Sequence, residues 1–299
     1  MWLTFAFGSA LLLGFYDVFK KHALQGNAVL PVLMLNTLFS SLIFLPFILL
    51  SFIMPERMAQ YPTIFVPRAG WDVHCYIILK AVIVLGSWIS GYFGMKHLPI
   101  TIVGPINATR PILVLLGAML LFGERLNIYQ WIGVILGAVS FMLLSRSGRK
   151  EGINFGKNRW IFCVVLAAVI GAVSGLYDKY LMRSLDPMLV QSWYNIYQLG
   201  IMGVILLVLW WPKRHDSPFR WHWSIPLISI FLCAADFLYF YALSLPDSMI
   251  SIVSMVRRGS VIVSFIFGAM LFHEKNLKSK AFDLFLVLLG MLFLYLGSR

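Results

Sequence analysis

The chain has 299 residues, 60% hydrophobic and 12% charged, with a mean hydropathy of +0.85 and a formal net charge of +12. A soluble domain is usually about 45–50% apolar and about 25% charged, so these proportions exclude an ordinary soluble protein and point to one that crosses a membrane many times. The apolar runs are continuous, which also excludes a transmembrane barrel, whose strands alternate apolar and polar residues over ~10 positions.

A helix needs ~20 apolar residues to cross the hydrocarbon core. Counted that way, the chain predicts about ten spans, near 2–19, 28–52, 77–95, 102–122, 128–145, 160–182, 187–211, 224–243, 249–272 and 281–298. The first run starts at Trp2 with no basic stretch before it, and reads as a span rather than a cleaved leader. The longest gap, from Pro55 to Tyr76, is too short for a separate folded domain. Function therefore falls to the helix bundle and its short loops. The cations sit mostly between the apolar runs, where they set topology and meet lipid headgroups. No basic, aromatic-rich soluble segment is present for nucleic acid. Cys75, Cys163 and Cys233 are single and widely spaced, with neither metal-site nor disulfide spacing.

The sequence repeats itself. TRPILVLLGAMLLFGERL, from Thr109 to Leu126, returns as RRGSVIVSFIFGAMLFHEK, from Arg257 to Lys275. Gly14-Phe15-Tyr16-Asp17 is echoed by Gly175-Leu176-Tyr177-Asp178, and Leu98-Pro99 by Leu245-Pro246. Each half closes on Leu-Gly, an apolar run and Ser-Arg, at Arg146 and Arg299. The expected organisation is a five-helix repeat at 1–146, a polar linker at 147–159 and a second five-helix repeat at 160–299. Five is odd, so the second half enters the membrane in the opposite sense. The predicted fold is thus an all-α membrane protein of about ten transmembrane helices in two inverted five-helix repeats. That plan is typical of secondary transporters, whose substrate site lies between the repeats near the midplane.

The arginine-bearing motif, its second copy and the two five-span halves resemble the drug/metabolite transporter superfamily, specifically its EamA type. The resemblance covers essentially the whole chain. It implies a transporter of small metabolites, often an exporter, with a central cavity lined by the first, third, fourth, sixth, eighth and ninth helices. One departure stands out: Pro111 follows Arg110 in the first copy, whereas Gly259 follows Arg258 in the second.

Several residues carry charge into apolar runs. Arg110, Arg257 and Arg258 lie inside their spans, where a charge costs at least ~2.5–3.5 kcal/mol on insertion scales. Either they face a polar cavity and hold an anionic or carboxylate-bearing substrate, or they pair with carboxylates and fix the packing of the halves. Neighbours on a helix point about 100° apart, so Arg257 and Arg258 cannot both face one cavity squarely. Asp236 is the natural counter-ion, as a proton-coupling carboxylate or as one half of a permanent salt bridge. Asp17 and Asp178 sit near helix ends beside Lys20, Lys21 and Lys179, as interfacial ion pairs or as gating and coupling groups. Tyr92 and Tyr239 are repeat equivalents on helices that the resemblance makes central; with Trp88 and Tyr241 they are cavity walls or packing aromatics. Gln191, Asn195 and Gln198 share one face, and like Asn36 read as interhelical hydrogen-bonding groups. Gly133/Gly137 and Gly171/Gly175 read as close helix packing.

No HExxH, GxSxG elbow or Walker A is present, so the sequence predicts neither an enzyme nor an ATP-driven pump, and calls for no cofactor. The expected partners are a small-molecule substrate, the lipid bilayer, and protons or a counter-substrate for coupling. The expected location is the cell (plasma or inner) membrane, as a monomer or homodimer. The rivals are a flippase for a lipid-linked head group and a non-transporting assembly subunit. The charge bias of the loops puts both termini outside, whereas the resemblance puts both inside.

Overall fold

The computed structural model describes residues 2–297 except 115, 117–126, 150–151, 183, 246–252, 254–255 and 273–276. The first Gly-Ala-Met-Leu, the Glu124-Arg125 turn, Pro246 and Glu274 lie outside the described residues. The helices are α1 (Trp2–Leu24), α2 (Val29–Ile53), α3 (Trp71–His97), α4 (Ile100–Ala108), α5 (Ile128–Arg149), α6 (Arg159–Leu181), α7 (Pro187–Ile205), α8 (Ser224–Ser244), α9 (Ser260–Phe272) and α10 (Leu277–Gly297). A one-turn helix, Pro55–Met58, interrupts the α2–α3 connection. No strand occurs among the described residues. Among the described residues seven helices are long and apolar enough to cross a membrane, and α4 and α5 fall in shorter apolar helices.

Local chemistry sets several ends. The Asn158 side chain accepts from the Trp160 N–H at 2.9 Å and starts α6. Asp186 accepts from the Met188 and Leu189 N–H groups, with Pro187 at the first helical position of α7. Gly26, at φ +61°, supplies the left-handed turn between α1 and α2.

The helices pair across the two halves. The most extensive contacts join α1 to α8, α5 to α10, α3 to α6, and α2 to α7. Advancing each helix by five, modulo ten, returns the same set of pairs, as a two-fold repeat requires. Directions follow from side-chain contacts. Phe5 packs on Tyr241 and His22 meets Ser224, so α1 and α8 are antiparallel. Tyr177 bonds the Tyr76 carbonyl and Trp160 stacks on His97, so α3 and α6 are antiparallel. The Lys21 ammonium, at the end of α1, donates to the Met95 and Leu98 carbonyls at the end of α3. Hence α1 and α3 run together, α6 and α8 run against them, and the repeats are inverted.

Between lipid-embedded helices there is little hydrophobic drive, so small residues and polar staples do the joining. Ser9 Oγ donates to the Ala235 carbonyl across α1–α8, and Ser87 Oγ to the Ala167 carbonyl across α3–α6. A methyl on Gly290 of α10 would stand 3.0 Å from the Gly133 carbonyl of α5, so the predicted close packing there holds.

The two arginine-bearing segments differ from the continuous spans expected. The α4 helix breaks at Thr109, with helical turns resuming over 110–114, and the helical turn at 256–258 breaks at Gly259 before α9. The breaks share one pattern. The Thr109 N–H bonds the Ile106 carbonyl and the Ile112 N–H bonds the Thr109 carbonyl; Gly259, Val256 and Ile262 repeat this spacing. These are tight three-residue steps, although in the first copy the Thr109 carbonyl also accepts a four-residue bond from the Leu113 N–H. Pro111 lacks an N–H, which loosens the first copy. In the second copy a β-carbon on Gly259 would stand 2.9 Å from the Val256 carbonyl, so only glycine fits without a shift. Different residues thus break both copies alike.

Candidate functional site

A cavity of about 180 Å³ lies at the centre of the bundle, lined by residues of α1, α3, the α4 segment, α6, α7, α8 and the α9 segment. All eight residues singled out above reach it: Asp17, Tyr92, Arg110, Asp178, Asp236, Tyr239, Arg257 and Arg258. Lys20, Lys80 and Trp88 line it as well. Tyr241 does not; it borders a second cavity of about 230 Å³ beside Pro62, Asp186 and Pro187, and Phe240 lines both.

The charges in the central cavity sort into three pairs and a remainder. Lys20 Nζ bonds Asp17 Oδ1 at 2.5 Å, and Ser264 Oγ of α9 donates to Asp17 Oδ2 at 3.5 Å. Lys80 of α3 pairs with Asp178 of α6. Arg257 pairs with Asp236, which also accepts from the Tyr194 hydroxyl at 3.2 Å. The Arg257 guanidinium lies 4.3 Å above the Tyr239 ring, and the Lys20 ammonium 4.2 Å above the Tyr16 ring. Aromatic faces therefore share the work of holding the paired cations.

Arg110 and Arg258 have no carboxylate within ion-pair distance among the described residues. Arg110 donates to Asn107 Oδ1 at 3.2 Å, while its Nε is buried without a partner. The Arg110 guanidinium lies against the backbone of α6 at Gly171, where a β-carbon would come within 2.6 Å of its Cζ. Gly171 thus makes room for an arginine, beyond the helix packing expected of it.

Other residues fall differently from the sequence expectation. Asp17 and Asp178 both line the central cavity; Asp17 bonds Lys20, one of the lysines expected beside it, whereas Asp178 bonds Lys80 across the helix pair. Lys80, the sole charge in the run YIILKAVIVL, went unnoticed in the sequence; a lysine inside a span is a functional signal in its own right. Tyr194 was also missed. Gln191, Asn195 and Gln198 lie away from the central cavity, in buried contacts of α7 that include Asn195 Nδ2 to the Gln191 carbonyl at 2.7 Å. Asn36 accepts from Ser229 Oγ at 3.0 Å, joining α2 to α8.

The ends of the cavity are unequal. At the C-terminal ends of α1 and α3, Lys21 ties the helices together through two carbonyls, above a buried apolar cluster containing Leu24, Met95 and Leu98. At the other end Phe240 stands between the central and second cavities.

Compared with known protein families, the sequence matches the EamA-like transporter family over residues 1–146 and 158–296. The chain belongs to that family. It is a multi-pass membrane protein of a transporter family, as its helices and charge pattern require. An uncharacterized transporter of Archaeoglobus fulgidus is 25% identical over 264 residues, 87% of this chain and 86% of that protein. The uncharacterized transporter YvbV of Bacillus subtilis is 27% identical over 154 residues, 50% of this chain and 48% of that protein. The match thus spans about half of that relative's length. A crystal structure aligns over 98% of this chain and 96% of its own, with a TM-score of 0.65 and 16% identity, and shares the fold.

Proposed function

We propose that this EamA-family protein is a secondary transporter, exporting a small polar metabolite with an anionic group across the cell membrane. It works by alternating access between inverted halves, residues 1–146 and 160–299, joined by the linker 147–159. The observation that carries this reading is the pair of guanidiniums, Arg110 and Arg258, held in a central cavity without carboxylate partners among the described residues. An uncompensated charge in a bundle core is expensive, and a bound anion offsets that expense. Both arginines flank a broken helix, the kind of backbone from which transporters build midplane sites.

In this reading Arg110 and Arg258 hold the substrate, while Tyr92 and Tyr239 wall it in. Arg257–Asp236, Lys80–Asp178 and Lys20–Asp17 link helices of the opposed halves or brace the cavity wall, and exchange partners as it opens to one side and then the other. Coupling is to protons or to a counter-substrate. Support comes from the difference between the two ends of the bundle: Lys21 ties α1 to α3 at one, and Phe240 lines both cavities toward the other.

The test is counterflow in proteoliposomes loaded with a panel of anionic, zwitterionic and neutral metabolites. The expected result is uptake of a labelled anion that is lost in Arg110→Gln and Arg258→Gln. Uptake of a neutral or cationic compound that both variants leave unchanged would overturn the reading.

A further inference from the structure

Among the described residues the cavity carries five cations, Lys20, Lys80, Arg110, Arg257 and Arg258, against three carboxylates, Asp17, Asp178 and Asp236. Each carboxylate is engaged by a different cation, so the excess of two positive charges falls on Arg110 and Arg258. The cavity, about 180 Å³, is small beside the ~300–1,000 Å³ of drug-sized ligand sites. The two free guanidiniums come from opposite halves and approach one space. A guanidinium offers a planar fork of donors that fits carboxylate or phosphate oxygens two at a time.

From this geometry we propose that the ligand is a compact dianion, either a phosphate monoester or a dicarboxylate, bridged by Arg110 and Arg258. The inference rests on the transporter reading above and deepens it. A monoanion could touch both guanidiniums but would compensate only one of the two positive charges. A dianion leaves the cavity neutral and lets each arginine take its own oxygen pair. Such a ligand also ties the broken α4 segment of one half to the α9 segment of the other, so occupancy and the arrangement of the halves are coupled through one bound molecule.

Ligand titration supplies a pH signature. The second proton of a phosphate monoester leaves near pH 6. Its binding as a dianion therefore strengthens as pH rises from about 5 to about 7.5. The second carboxyl of a dicarboxylate is likewise pushed above the ordinary carboxylate value of about 4 by the charge of the first, so its binding as a dianion also strengthens with pH, beginning at lower pH.

The experiment is a thermal-stability titration of the full-length protein in detergent at constant ionic strength. The probes are glycerol phosphate, succinate, butyrate, glycine and glycerol, since a ligand that binds the folded state raises its apparent stability by mass action. One of the two dianions should bind roughly tenfold or more tighter than butyrate, the factor expected for one more charge-assisted contact. Arg258→Gln or Arg110→Gln should erase that preference, and Arg110→Lys should keep part of it. Glycerol phosphate and succinate are separate probes, so the one that stabilises more names the class. Equal stabilisation by butyrate and both dianions would overturn the dianion while leaving the anion-transporter reading intact. Stabilisation by glycine or glycerol alone, unchanged in the variants, would overturn both. Should a variant fail to fold, the native protein's ranking of dianion against monoanion decides.

Discussion

Arg257 and Arg258 are neighbours in sequence, and the fold treats them in opposite ways. Arg257 bonds Asp236 and lies over the Tyr239 ring, and Asp236 is held further by Tyr194. Arg258 points into the same cavity with no carboxylate at hand among the described residues. The turn of about 100° between successive helical positions is enough to separate them. The lesson is that two neighbouring arginines of one motif can be held in different ways, one paired across helices and one not. Composition and motif treat the two alike, and only the cross-helix partner distinguishes them.

Substitution should split the two arginines sharply. Arg257→Gln, or Asp236→Asn, leaves the other member of a buried pair uncompensated, a loss of about 3–5 kcal/mol, read as a large fall in unfolding temperature. The Lys80→Met variant should behave similarly by stranding Asp178, with the α3–α6 pair loosened and the unfolding transition lowered. Smaller in stability, larger in function, is Gly171→Ala. Its methyl would stand 2.6 Å from Arg110 Cζ, so Arg110 must move. Anion binding should weaken by about tenfold, equivalent to ~1.4 kcal/mol, with only a small change in unfolding temperature. The mildest is Tyr194→Phe, which removes one hydrogen bond to Asp236 and costs about 0.5–1.5 kcal/mol. If Tyr194→Phe matched Asp236→Asn, the carboxylate would depend on the hydroxyl rather than on Arg257, and the contrast between the arginines would need redrawing.

Much of this architecture was legible in the sequence because it rests on composition and repetition. The apolar run lengths located the helices, the odd number of spans per half required inversion, and the intramembrane charges pointed to the central cavity. What escaped was pairing. Asp178 has Lys179 beside it in sequence, yet its partner is Lys80, almost a hundred positions away, because α3 and α6 pack side by side. Lys80 itself could have been noticed, since a lone lysine in an apolar span is costly wherever it lies. The break at Gly259 was harder to see. Proline announces a missing donor, whereas the need for glycine arises from a carbonyl 2.9 Å from a β-carbon that is not there. Gly171 likewise read as half of a packing motif until Arg110 was found lying on it.

The most direct test of the central claim is the unfolding temperature of Arg258→Gln beside Arg257→Gln, each with and without a saturating anionic ligand. An unpaired charge that serves the ligand predicts that Arg258→Gln without ligand unfolds no lower than the native protein, and that its ligand-induced rise disappears. Arg257→Gln should unfold well below the native protein. If Arg258→Gln unfolds as low as Arg257→Gln and keeps its full ligand-induced rise, Arg258 is structural and the account is wrong.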